Sequence, residues 1–211
     1  DGGDDNLSAL DTDNDGLTNG EEENIHGTDP DNEDTDGDGP KDGDELNNLT
    51  TNPLKMDSDF DGINDNIELT NCIYGEDDNQ CTSPIDDDSD NDGLEDGEEL
   101  NLTSDPMKTD SDGDGISDST EINNCSYGDE GNLCTNLTIM DTDEDGISDG
   151  EEIENYYTDP MAKDSDNDGI EDGIEISNCI YGDESDECTN PNNSDSDGDT
   201  ILDGDEVAYN S

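Results

Sequence analysis

Tryptophan is absent from the chain, and phenylalanine and histidine occur once each. Lys and Arg together number only 4, against 68 Asp plus Glu, so the 211 residues carry a formal charge of -64. Apolar residues make up 23%. With so little to bury, the chain cannot build an ordinary hydrophobic core, and composition alone places it among disordered polyanions. No apolar run approaches the ~18 residues of a membrane span, and the charge excludes nucleic acid and anionic membranes as partners. Its natural partners are cations. The single imidazole, His26, falls in a connector and reads as surface variation, and no nucleophile has a plausible base, so the chain is not expected to be an enzyme. Asp1 to Asp4 show no signal peptide, which leads us to expect a soluble, already processed chain.

What the chain does contain is repetition. "DTDNDGLTNGEE" at 11–22 returns in close variants at 34–45, 57–68, 88–99, 110–121, 141–152, 164–175 and 195–206, a single array of eight loops over 1–211. From Asp57 onward short and long spacings alternate. Between loops runs a second regular element. Thr28, Thr51, Thr82, Ser104, Thr135, Thr158 and Thr189 each stand six residues before a loop, followed by Asp, Asn or Ser and usually by Pro.

Numbering each loop from its first Asp shows which positions are fixed. Position 1 is Asp11, Asp34, Asp57, Asp88, Asp110, Asp141, Asp164 and Asp195. Position 3 is Asp13, Asp36, Asp59, Asp90, Asp112, Asp143, Asp166 and Asp197, and position 5 is Asp15, Asp38, Asp61, Asp92, Asp114, Asp145, Asp168 and Asp199. Position 9 is Asn19, Asp42, Asp65, Asp96, Asp118, Asp149, Asp172 and Asp203. Position 12 is Glu22, Glu45, Glu68, Glu99, Glu121, Glu152, Glu175 and Glu206. Position 6 is Gly except at Thr200, and position 7 is Leu or Ile except at Pro40.

This spacing is the arithmetic of a calcium loop. Acids at 1, 3 and 5, a carbonyl at 7, a ligand or water-holder at 9 and a two-oxygen Glu at 12 supply the six to eight oxygens calcium takes, and glycine at 6 permits the turn around the ion. Magnesium resists so many carboxylates, and zinc or copper would require His or thiolate. We expect at least one Ca2+ per loop, eight or more in all. The sites with Asn19, Pro40 and Thr200 are expected to be the weaker ones. The connector residues Asp29, Asn52, Asp105, Asn136, Asp159 and Asn190 suit either a second ion or a turn cap.

An EF-hand shares the simple motif but requires a helix entering the loop. Pro30, Pro53, Pro84, Pro106, Pro160 and Pro191 stand four residues before their loops and leave no room for one. With its D-x-D-x-D-G-[IL]-x-D-x-x-E units and stretches such as "DGEELNLTSDPMKTDSDGDG" (96–115), the chain instead resembles the thrombospondin type 3 repeat, especially its bacterial and archaeal form. The resemblance covers essentially the whole chain. It implies calcium wrapped by little regular secondary structure, in extracellular stalks and in adhesive or cell-wall proteins. Vertebrate members link neighbouring repeats through cysteines, whereas here Cys72/Cys81, Cys125/Cys134 and Cys179/Cys188 lie within inserts at 71–81, 124–134 and 178–188. Their equal spacing reads as three local disulfides and an oxidising compartment.

Two aliphatics per unit, at positions 7 and 13, fall far short of offsetting the backbone entropy of ordering a repeat, so the fold is expected to exist only with its ions. The expected architecture is mostly coil with one or two helical turns from position 9 to about position 16, in an elongated calcium-stabilised tandem-repeat rod. The expected role is an extracellular, secreted or cell-surface structural protein: a calcium-stiffened spacer, or a filament subunit stacking on copies of itself end to end. The alternatives are an acidic calcium store or mineral-binding polyanion and a cell-adhesion module.

Overall fold

The computed structural model describes residues 8–70, 81–123, 134–178 and 189–210. The chain divides into two compact units, Asp1–Lys108 with the first four loops and Thr109–Ser211 with the last four. Both units are built from coil and short helical turns, without a strand among the described residues.

Each loop is a run of side-chain-capped turns. The position-1 carboxylate accepts the N–H of positions 4 and 6, as Asp57 does from Phe60 at 2.7 Å and Gly62 at 3.1 Å. Position 3 accepts from position 5, and position 5 accepts from position 7 at 2.7 Å in the first loop. These bonds turn the backbone left-handed at positions 4 and 6 of every loop. At position 6 φ lies near +100°, for example +103° at Gly16 and +102° at Gly146, where a side chain is strained. Thr200 takes the same place at +82°.

A helical segment then starts at position 9 in all eight repeats: Asn19–Glu21, Asp42–Asp44, Asp65–Thr70, Asp96–Leu102, Asp118–Asn123, Asp149–Glu151, Asp172–Asn178 and Asp203–Asn210. The extended residue at position 8 sets the start. Thr18 and Ser148 accept the N–H of Glu21 and Glu151, and acids at 9 and 12 occupy the first turn, where the helix dipole favours negative charge. Three of the segments widen into a π turn, Glu22–His26, Glu45–Leu49 and Glu152–Tyr156, so the helical stretch covers positions 9 to 16 as the sequence predicts. Each π turn ends in a left-handed residue, Gly27, Thr50 or Tyr157, whose N–H returns to the carbonyl of the position-12 Glu. The connector follows as an Asx turn. Asp29, Asn52 and Asp159 accept the N–H two residues on and so act as turn caps.

The interior is the reverse of an ordinary core. Among the described residues the buried aliphatics are Leu17, Ile63, Leu94 and Ile147, all at position 7, joined by the connector prolines Pro53, Pro106 and Pro160. The position-13 aliphatics expected to share this core are only half-buried at Leu46, Leu100 and Ile153, and Leu69 is exposed. The largest fully buried side chains are instead acids, among them Glu22, Glu45, Glu152, Asp42, Asp65 and Asp149. Cys81 and Cys134 are the cysteines among the described residues, and neither is a free thiol. Cys72, Cys125, Cys179, Cys188 and the insert tyrosines lie outside the described residues.

Successive repeats dock through position 10. A Cβ on Gly43 would lie 2.2 Å from the Asp15 carbonyl oxygen, and on Gly97 2.0 Å from that of Asp61. Gly150, Gly173 and Gly204 meet Asp114, Asp145 and Asp168 in the same way at 2.2 Å. Lys41 and Lys163 reach across such steps to the carbonyls of Asn14 and Glu144. Gly97→Ala is therefore expected to lower stability in calcium by about 1–3 kcal/mol, the usual cost of overpacking. Gly37→Asn, at an open left-handed site where Asn14 and Asn91 stand in other loops, is expected to be near neutral. Thermal unfolding of the two variants side by side checks both.

Candidate metal centre

Two kinds of acidic cluster recur along each unit. In the first, positions 1, 3 and 5 of one loop converge: Asp11, Asp13 and Asp15; Asp34, Asp36 and Asp38; Asp57, Asp59 and Asp61, each trio able to bring one oxygen per residue within 4.8 Å. The second joins two repeats. Asp15 and Glu22 meet Asp42 of the next loop, and Asp61 and Glu68 meet Asp96, again within 4.8 Å and with every member buried. In the Thr109–Ser211 unit the same step brings Asp149 beside Asp114, Asp172 beside Asp145 and Asp203 beside Asp168. The sequence places position 9 in the middle of its own loop. The fold delivers it to positions 5 and 12 of the loop before, and position 5 belongs to both clusters.

The hydrogen bonds show which oxygens are already engaged. One oxygen of each position-3 acid, and of each position-5 acid outside the second loop, accepts a loop N–H, leaving Asp13, Asp36, Asp59, Asp15 and Asp61 with a buried second oxygen that has no hydrogen-bond partner. Glu45 and Glu152 accept the Thr51 and Thr158 hydroxyls at 3.1 and 2.9 Å through Oε1, while Oε2 is buried without a partner. Leaving a buried charged group unpaired is costly, and here several point at one another. This donor set fits a hard divalent cation, and calcium best, because every free atom is oxygen and several come from carboxylates.

Burial and, among the raising causes second to it, neighbouring carboxylates make Glu22, Glu45, Glu68, Glu152, Asp61 and Asp143 reluctant to ionise when only the protein is present. Glu45, Glu68 and Glu152 are pushed up to about 8 and Glu22, Asp61 and Asp143 to about 7. For Glu45, Glu68, Glu22 and Asp61 burial is again the largest cause. A carboxyl whose folded pKa is raised binds more protons folded than unfolded. The metal-free fold is therefore favoured below the ordinary carboxylate range near 4.5 and loses that contribution as pH rises through 7 to 8.

The invariant hydroxyl at position 2 was not recognised as functional from the sequence. Thr35 donates both N–H and Oγ–H to Asp42, at 2.8 and 2.6 Å, and its Oγ accepts the Asp29 N–H at 2.9 Å. Ser58 does the same for Asp65 and Asn52, and Thr142 for Asp149 and Asn136. The signal was available, since Ser or Thr fills position 2 in all eight loops. The connector Thr was noticed as a fixed position, and its role is to hold the position-12 Glu. Asn19, the one amide at position 9, keeps the tie to Thr12 at 3.0 Å.

Two outcomes are expected. Thr35→Val removes the hydroxyl that orients Asp42 and should weaken calcium binding at the step between the first two loops about fivefold, the equivalent of one hydrogen bond, while Thr35→Ser keeps it; the Gly43 amide resonance during calcium titration reports the difference. Calcium uptake should release protons at pH 7 and grow weaker from pH 8 to pH 6, because the ion must displace protons from the position-12 acids. Titration calorimetry in buffers of different ionisation enthalpy measures the release.

Comparison with curated proteins returned no match. Among solved structures, a biofilm associated protein, BSP domain, shares 51% identity over 21% of this chain and 8% of its own, with a TM-score of 0.21. A second, biofilm associated protein, B domain, shares 50% over 22% of this chain and 11% of its own, with a TM-score of 0.22. The chain thus spans a small fraction of those structures, and the likeness is confined to a short segment. The bacterial TSP3 repeat matches residues 11–32, 34–55, 88–109, 110–124, 141–162 and 164–178, more than half of the sequence. The chain belongs to the bacterial TSP3 repeat family.

Proposed function

We propose that the protein is an extracellular calcium-binding structural module whose repeats are held in register by ions, a calcium-stiffened spacer rather than a catalyst. The observation that carries this reading is the pair of buried carboxyl oxygens without donors, on Asp15 and Glu22, that face Asp42 of the next repeat, a grouping that recurs where consecutive repeats meet. Membership in the bacterial TSP3 repeat family supports calcium as the ion. The ligand set in each loop is positions 1, 3 and 5, with position 12 and the next loop's position 9 forming a second group around the shared position-5 acid. In this reading the carboxylates are engaged by hydrogen bonds and ions rather than by a substrate. Pairing of Cys72 with Cys81, Cys125 with Cys134 and Cys179 with Cys188 belongs to the same reading, each bridge closing its own insert.

A structural role is favoured over a plain calcium store because the steric and hydrogen-bonding features beyond the ligands are also fixed. The position-10 glycines admit close docking and the position-2 hydroxyls orient a ligand toward the preceding repeat. A store of ions needs neither.

Calcium titration followed by circular dichroism and small-angle scattering, with chelator reversal, tests the proposal. Chelation is expected to convert a stiff particle into an expanded coil, because like charges are then left facing one another. A chain that binds calcium with unchanged dimensions would point to the store instead. A chain that shows no calcium binding at millimolar ion would end the calcium reading.

A further inference from the structure

The second loop differs from the other seven at one donor. In those seven the N–H of position 7 donates to Oδ1 of the position-5 Asp: Leu17 to Asp15 at 2.7 Å, Ile63 to Asp61 at 2.6 Å, Ile147 to Asp145 at 2.9 Å, and likewise in the rest. Position 7 of the second loop is Pro40, which has no N–H to give. Both carboxyl oxygens of Asp38 are consequently buried without a hydrogen-bond partner, on a residue only 7% exposed. Carboxylates surround it: Asp36, Asp34 and Glu45 of its own loop and Asp65 of the third. The following repeat also meets this loop differently. Asn66 replaces the position-10 glycine, and its side-chain amide lies 3.1 Å from where a Cβ on Gly39 would stand.

Resting on the calcium reading above, we propose that the second loop is the tightest and last-released calcium site of the Asp1–Lys108 unit, with Asp38 giving one oxygen to the ion of its own loop and the other toward the group formed with Asp65. In the neighbouring loops Oδ1 shares its electron density with an amide hydrogen, which weakens it as a donor to calcium. Asp38 bears no such load, and the fixed ring of Pro40 holds the turn that the missing hydrogen bond would otherwise secure. This reverses the sequence-based expectation, which ranked the loop with Pro40 among the weak ones for want of a position-7 aliphatic.

The test follows the amide resonances of Gly16, Gly39 and Gly62 in the full-length chain as free calcium is lowered with a graded chelator. Each of these amides donates to the position-1 Asp of its loop and so reports that loop separately. Gly39 is expected to keep its calcium-form shift to a free calcium level about fivefold lower than Gly16 and Gly62, the weight of one hydrogen bond. Pro40→Ala, which restores the N–H without adding bulk, should bring the Gly39 midpoint up to that of the others while leaving theirs in place. Should the alanine disturb the Gly16 or Gly62 spectra in calcium, Pro40→Ile supplies the same donor in the residue type the other loops use. Release of Gly39 together with or before its neighbours, or an unchanged midpoint in the variants, overturns the proposal. Failure of calcium to move any of the three resonances would instead overturn the calcium reading itself.

Discussion

Burial of like charges is the constraint on which everything else in this protein rests. An ordinary domain hides apolar side chains and leaves its acids in water. Here the fully buried positions are Glu22, Glu45, Glu152 and the aspartates that face them, while Leu10, Ile25 and Tyr157 stand exposed. Such an interior is unfavourable as protein alone, since each carboxyl loses hydration and faces other carboxylates, with only a few hydrogen bonds in return. A divalent cation would offset these costs, and under the proposed calcium reading its binding free energy becomes folding free energy, as in small metal-dependent domains.

The backbone is arranged to make that inversion possible. Within most loops the position-1 acid takes loop N–H groups on both oxygens, while the acids at positions 3 and 5, Asp38 apart, spend one oxygen on a nearby N–H; Asp13, Asp15, Asp59 and Asp61 keep the second free. Left-handed backbone at positions 4 and 6 brings positions 1, 3 and 5 onto one side. The helical turn that follows carries two acids to its N-terminal end, where the aligned peptide dipoles favour them. It then stops in a left-handed residue, so the connector Thr can donate to the Glu that begins the π turn. Hydrophobic burial contributes a single buried aliphatic in several loops.

Coupling between repeats follows from position 9. Its carboxylate accepts two hydrogen bonds from the Ser or Thr of its own loop and faces the acids of the loop before. The glycine beside it lets the two backbones approach within contact distance of the preceding carbonyl. One residue thus ties the geometry of a loop to the ion site of its predecessor. In the second loop, where proline removes a donor and asparagine replaces the docking glycine, this shared pattern is altered on both sides of the same aspartate.

The sequence alone made legible the eightfold repeat, an acid spacing suited to calcium, the short helical stretch from position 9 to 16 and the family. All of these depend on residues close in sequence, and eight in-register copies make the pattern plain. It did not reveal that Asp42, Asp65 or Asp96 serves the preceding repeat, because an ordinary calcium loop offers position 9 a place nearer by. It also passed over Thr35, Ser58 and their equivalents, whose hydroxyls read as filler between two aspartates until Asp42 and Asp65 are seen turned toward them. The connector acids looked equally suited to ions and to turns, and only the fold showed Asp29 and Asp159 closing their own backbone. Those decisions belong to the tertiary structure because each turns on how close one backbone comes to the next, a distance set by the missing Cβ at position 10 and the shared acid at position 5.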